Sequence, residues 1–190
     1  MKKKLLAVFL IGLLAVISAR ATTILPMSLD ELTRRSDSIV VGKVKSVAYA
    51  QNEISGYPET RTTVTIENTV YGDDKIKEVV VSVPGGPAGN GLVTIVPGMP
   101  QFKVDERAIL FLVKDKDRGV AFPTGAEQGV FRIKVDPVTK QPYVQNQAHD
   151  LSVINVPDNP IQQKSAEKSK VPLPEFTIQL RQLAIQLKEE

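Results

Sequence analysis

In this 190-residue chain, Gly85-Gly86-Pro87-Ala88-Gly89-Asn90-Gly91 is the run whose backbone has the most freedom to do chemistry. Clustered glycines can turn several N–H groups toward one anion. The Lys-Ser/Thr pair that completes a phosphate loop is missing, and Leu92 follows in place of a helix start. The same residues serve equally as a flexible connection between strands, since glycine reaches positive φ without a Cβ clash. Long loops in compact domains are nevertheless where binding concentrates. Gly85, Gly86, Gly89, Asn90 and Gly91 are therefore the candidate contact residues.

Other reactive side chains are few. His149 is the only histidine, and there is no cysteine. A nucleophilic triad needs histidine as a positioned base. His149-Asp150 falls in a polar stretch without periodicity, and no G-x-S-x-G elbow occurs. One histidine and no cysteine exclude a His/Cys zinc site. Asp115-Lys116-Asp117-Arg118-Gly119 has the D-x-D-x-G look of a calcium loop, but position 12 of that loop is Ala126, so a charged hairpin turn is expected. Asp30-Glu31, Asp73-Asp74 and Asp105-Glu106 are adjacent acids, which point apart on a strand or turn and cannot flank a substrate. No catalytic residue, metal ligand or cofactor is assigned.

The first 21 residues read as a cleavable export signal. Lys2, Lys3 and Lys4 precede an apolar run from Leu5 to Ile17, and Ala19 and Ala21 supply the small residues of an A-x-A cleavage motif. The run is short of the roughly 20 residues a spanning helix needs. Residues 1–21 hold four basic residues and no acid, so the expected mature chain carries 20 Lys+Arg against 21 Asp+Glu. With that near-neutral balance a nucleic-acid partner is not expected. An exported, periplasmic or extracellular protein without disulfides must stand on its hydrophobic core.

Downstream, Ser28 and Glu31 form a capping-box pattern for a short helix ending near Ser36. Strands are expected at 39–47, 62–70, 78–83, 108–113, 131–135 and near 143–144, separated by turns at Gly72-Asp73 and Asp136-Pro137. Val64, Ile66 and Val70 are assigned to one face, and Phe131, Ile133 and Val135 to the inner one. Residues 108–113 are apolar on both faces and should be the most buried. Residues 84–100 form a long loop with a short strand at 92–96. A polar linker spans 149–173, and an amphipathic helix at 174–190 carries Phe176, Leu180, Leu183 and Leu187. The expected fold is mainly β, a small OB-like Greek-key barrel over 22–148, with a β-sandwich as alternative.

The order S-L-D-E-L, S-D-S-I-V-V-G-K-V, T-V-T-I-E-N-T-V-Y-G-D, V-P-G-G and F-K-V-D-E-R-A-I-L-F-L resembles a group of uncharacterised secreted bacterial proteins. The first and second strands and F-x-V-x-E-R-A-x-L-F-L are also similar to netrin-like modules, the OB-fold domains that include the tissue inhibitors of metalloproteinases. Those inhibitors place an N-terminal cysteine on a catalytic zinc. Here the expected mature start is Thr22-Thr23, so that mechanism does not carry over.

The function expected is an exported, non-catalytic binding module that presents the 84–100 loop and the C-terminal helix to a protein partner. A protease as that partner follows from the netrin-like resemblance alone. The alternative is an exported hydrolase whose carboxylates meet only in the fold. A structural or chaperone-like envelope protein is the third reading. No membrane contact is expected after cleavage.

Overall fold

The computed structural model describes residues 25–89, 91–146 and 170–188. The export signal with Ala19 and Ala21, the residue Asn90, and His149 with most of the linker lie outside the described residues.

Helix α1 (Leu29–Arg35) starts where the sequence asks it to, with the Glu31 N–H donating to Ser28 Oγ at 3.1 Å. The Glu31 carboxylate pairs with Arg35 one turn later, at 2.6 Å. Strands β1 (Ser38–Gln51), β2 (Pro58–Tyr71) and β3 (Glu78–Pro84) then form an antiparallel meander. A two-stranded ribbon, β4 (Gly86–Gly89) and β5 (Leu92–Thr94), leaves the sheet before β6 (Arg107–Asp115) and β7 (Val120–Pro123) return to it. A 3₁₀ turn (Ala126–Gly129) leads into β8 (Val130–Val135) and β9 (Pro142–Gln145), and β10 (Val171–Pro172) leads into helix α2 (Leu173–Lys188).

Strands β1, β2, β3, β7 and β6 pair in that order, and β6 returns to β1, giving a five-stranded ring. The β3–β7 contact is parallel and rests on one pair, Val81 and Ala121, so the ring is barrel-like without being closed. This is the expected mainly β, OB-like architecture rather than two stacked sheets. Beyond the ring, β8, β9 and β10 extend the sheet from β6.

Two cores result. Val40, Val44, Val64, Val81, Leu110, Leu112 and Val130 fill the ring. On the outer side of β1, β6 and β8, Ile39, Val41, Ile109, Phe111, Phe131 and Ile133 meet Leu32 of α1 and Phe176, Leu180 and Ala184 of α2. A sheet covered on both faces explains why Ala108 to Leu112 is 0–2 % exposed, as its two-sided apolar pattern required.

The same second layer corrects the inner-face assignment of β8. Phe131 and Ile133 face the helices rather than the barrel interior, and Val135 is exposed. The Phe131 ring lies 5.4 Å from Phe111 and 5.3 Å from Phe176. Nor do Val64 and Val70 share a face, because register breaks between Ile39/Val40 and Val41/Gly42 shift the alternation of β2. Inside the ring, Gly42 lets the strands close up. A Cβ there would sit 2.4 Å from Val64 Cγ1 and 2.9 Å from the Thr65 carbonyl.

Candidate functional site

Within the long loop expected at 84–100, β4 and β5 pair as a short ribbon. Gly86 pairs with Thr94 and Pro87 with Val93. Its root is tied to β2 twice, by the Gly85 N–H donating to the Pro58 carbonyl at 2.8 Å and by Thr60 Oγ1 donating to the Gly85 carbonyl at 2.9 Å. Gly85 and Gly86 both take positive φ, at 110° and 134°. A side chain on Gly86 would press on the Tyr49 ring and on Thr60 Oγ1 at 3.2 and 3.1 Å. These glycines therefore turn the chain and let a ribbon lie against β1 and β2, and the Gly85 N–H is not available to an anion.

Charge fastens the same end of the barrel. Glu59, opposite Pro84 on β3, is 2 % exposed. Its carboxylate accepts from Arg61 Nε and Arg118 Nη2, each at 2.6 Å, and from Asn52 Nδ2 at 3.0 Å. Burial alone pushes this carboxyl up, but the three donors override it and hold Glu59 at about 2. Arg118 comes from the Asp115–Gly119 segment, where Asp115 Oδ1 accepts the N–H groups of Asp117 and Arg118. That segment is the charged hairpin turn expected from its sequence.

Outward from this anchored root the ribbon carries bare apolar surface. Leu92, Val93 and Ile95 are 68, 63 and 71 % exposed, and Tyr49, beside Gly86, is 61 % exposed. In this chain the three aliphatics sit in a stretch, 84–102, with no charged residue. The glycines named from sequence build the ribbon, whereas the exposed apolar side chains are those of Tyr49, Leu92, Val93 and Ile95. From sequence, 92–96 reads only as a short strand, and none of these four side chains stands out.

A concave region lies against the end of the 84–102 stretch. Met99, Gln101, Lys103, Glu106, Glu127, Gln128 and Arg132 line a cleft of about 740 Å³. Arg132 Nε donates to Glu106 at 2.7 Å, Arg132 Nη1 contacts Glu127, and Arg132 Nη2 donates to the Gln101 carbonyl at 3.0 Å. Burial raises the Glu127 carboxyl; the nearby Arg132 charge opposes this, and Glu106 adds to it. Here are two carboxylates brought together by the fold, with a guanidinium between them. From sequence, Glu106 reads only as one of an adjacent acidic pair, and nothing there points to its meeting Glu127, 21 positions on.

The C-terminal helix buries part of its expected stripe on its own domain, with Leu183 and Leu187 only half-buried. Phe176 and Leu180 are fully buried and Ala184 nearly so, and Lys188 Nζ donates to the carbonyls of Arg34 and Ser36. Its outer face, with Ile178 and Ile185, borders a groove over Arg107 and Glu67.

No protein-family model and no curated protein matches this chain. Among the described residues no helix is long and apolar enough to cross a membrane.

Proposed function

We propose that this chain is an exported, non-catalytic interaction module that meets a protein partner through the β4–β5 ribbon. The observation that carries this reading is the exposure of Leu92, Val93 and Ile95 on a stretch pinned at Gly85, with Tyr49 of β1 beside its root, each more than 60 % exposed. Isolated exposed aliphatics are ordinary, but a cluster of them on an ordered, uncharged ribbon marks a contact surface. The export half of the reading rests on residues 1–21. N-terminal sequencing of the processed protein is expected to begin at Thr22.

The contact half is tested by capture from the exported fraction of the producing cell. The protein with Leu92→Ser, Val93→Thr and Ile95→Thr is expected to lose at least tenfold of the material that the unaltered protein retains. Ile178→Ser with Ile185→Ser, on the outer face of α2, should leave capture intact. The reverse pattern overturns the assignment.

A hydrolase reading gains support from one observation, the raised Glu127 carboxyl beside Glu106 in an open cleft. Against it, both carboxylates are engaged by Arg132. Turnover of ester, glycoside or peptide substrates that disappears in Glu127→Gln would establish it.

A further inference from the structure

We infer that Glu106, Glu127 and Arg132 form an acid-tightened latch on the loop that seats Phe102 in the barrel. Phe102 comes from the loop before β6, yet its side chain is buried in the ring core with Val40, Val64, Leu110 and Val130. The peptide on each side of it is held by the charged cluster. Arg132 Nη2 donates to the Gln101 carbonyl, and the Lys103 N–H donates to Glu106 Oε2, each at 3.0 Å. The Glu127 N–H donates to the Gly98 carbonyl, also at 3.0 Å. The three residues thus grip the loop at Gly98, Gln101 and Lys103, on both sides of the apolar plug.

One guanidinium joins the parts of this latch. Arg132 on β8 meets Glu106 just before β6 and Glu127 in the 3₁₀ turn, and all three side chains are less than a fifth exposed. Two carboxylates therefore share one counter-charge, and a surplus negative charge lies where water is largely excluded. Among the described residues, the other charged group lining the cleft is Lys103, which is exposed. Residues 25–27 and β7, which also border the turn, bring no charged side chain. Of the remaining charges on β6 and β8, Arg107 pairs with Glu67, Asp115 caps its own turn, and Lys114 and Lys134 do not line the cleft. The backbone is bent to keep the arrangement. Asp105 and Ala126, the residues before the two carboxylates, have φ of 68° and 60°. Residues with side chains rarely enter that left-handed region.

The surplus charge gives the latch its direction. Burial and the neighbouring Glu106 charge push the Glu127 carboxyl up from 4.5, against the pull of Arg132. With the loop open to water, that carboxyl returns to its ordinary value. The closed loop therefore binds the proton more tightly than the open one, so falling pH favours closure. This contribution is complete below about pH 4.5 and is lost as pH rises through the raised value. Once Glu127 is neutral, Arg132 faces Glu106 alone, one charge against one.

Nuclear magnetic resonance of the purified protein reads both halves of the latch. The Glu127 carboxyl carbon should titrate above 4.5, and Glu106→Gln should lower that midpoint by removing the like charge. Hydrogen exchange, corrected for its intrinsic pH dependence, reports the loop through the Lys103 N–H. Its protection should rise about threefold or more between roughly pH 7 and pH 5. Protection of the Ile66 N–H, bonded to the Lys77 carbonyl on the β2–β3 side of the ring, should stay level. Glu127→Gln, neutral at every pH, should show the acid level of Lys103 protection already at neutral pH. Protection that falls or stays flat on acidification of the unaltered protein overturns the inference. So does a Glu127→Gln protein that keeps the pH dependence, or a Glu127 midpoint that Glu106→Gln does not move.

Discussion

Lys188, in the last turn of α2, donates from Nζ to the carbonyl of Ser36 at 2.9 Å, across 152 positions of sequence. The same ammonium bonds the Arg34 carbonyl at 2.8 Å and sits 5.3 Å from the centre of the Tyr71 ring. It thereby satisfies carbonyls at the C-terminal end of α1, where helix partial charge is negative. One side chain joins the two helices that roof the outer core.

Lys188→Met keeps most of the apolar stem and removes the donor. Loss of charge-assisted bonds to two carbonyls is expected to cost about 1–3 kcal/mol. Urea denaturation should show a lower midpoint with an unchanged slope.

The docking of α2 on its own domain predicts a sharp contrast along the helix. Leu180 is fully buried, so Leu180→Ala should cost about 2–5 kcal/mol. Ile178→Ala, two positions away and 60 % exposed, should stay within about 0.5 kcal/mol. Equal, small losses at both positions in thermal melts would mean that the helix does not pack as described.

Gly42→Ala places a methyl where Val64 Cγ1 stands 2.4 Å away and a backbone carbonyl 2.9 Å away. Overpacking of this kind is expected to cost about 1–3 kcal/mol. Adding Val64→Ala relieves the side-chain clash, so the pair should be less damaging than the sum of the singles, a coupling that a double-mutant cycle measures.

Glu59 makes stability depend on acid. Its folded value of about 2 lies below the ordinary 4.5, so its contribution is complete above about pH 4.5 and is lost as pH falls through 2. The 2.5-unit depression corresponds to about 3 kcal/mol. Glu59→Gln should be less stable at pH 7, because Arg118 and Arg61 lose their counter-charge, and should show a shallower fall in urea midpoint between pH 4.5 and 2. Parallel curves for the two proteins would contradict the role assigned to this carboxylate.

Much of the chain could be read locally because local chemistry sets it. The Ser28 cap acts within three residues, the Asp115 turn within three, and the two-sided apolar pattern of 108–113 states directly that both faces are covered. The misreadings share one cause. Alternation along β2 assumes a constant two-residue repeat, and bulges against β1 reset it. Alternation along β8 shows that one face is apolar but not which layer covers it; the roof of α1 and α2 turned Phe131 and Ile133 outward.

The candidate site divides along the same line. Its glycines were visible, since backbone freedom is a property of the residues alone, whereas 92–96 was legible only as a short strand. That the 92–94 strand forms a ribbon near Tyr49, rooted beside a buried Glu59 that Arg118 reaches from a turn 59 positions away, depends on pairings across dozens of residues. So does the meeting of Glu106, Glu127 and Arg132. A sequence states what each residue can do over its own few neighbours. Which distant groups share a cleft is settled when the strands choose partners and register, because that choice alone brings their side chains within hydrogen-bonding distance.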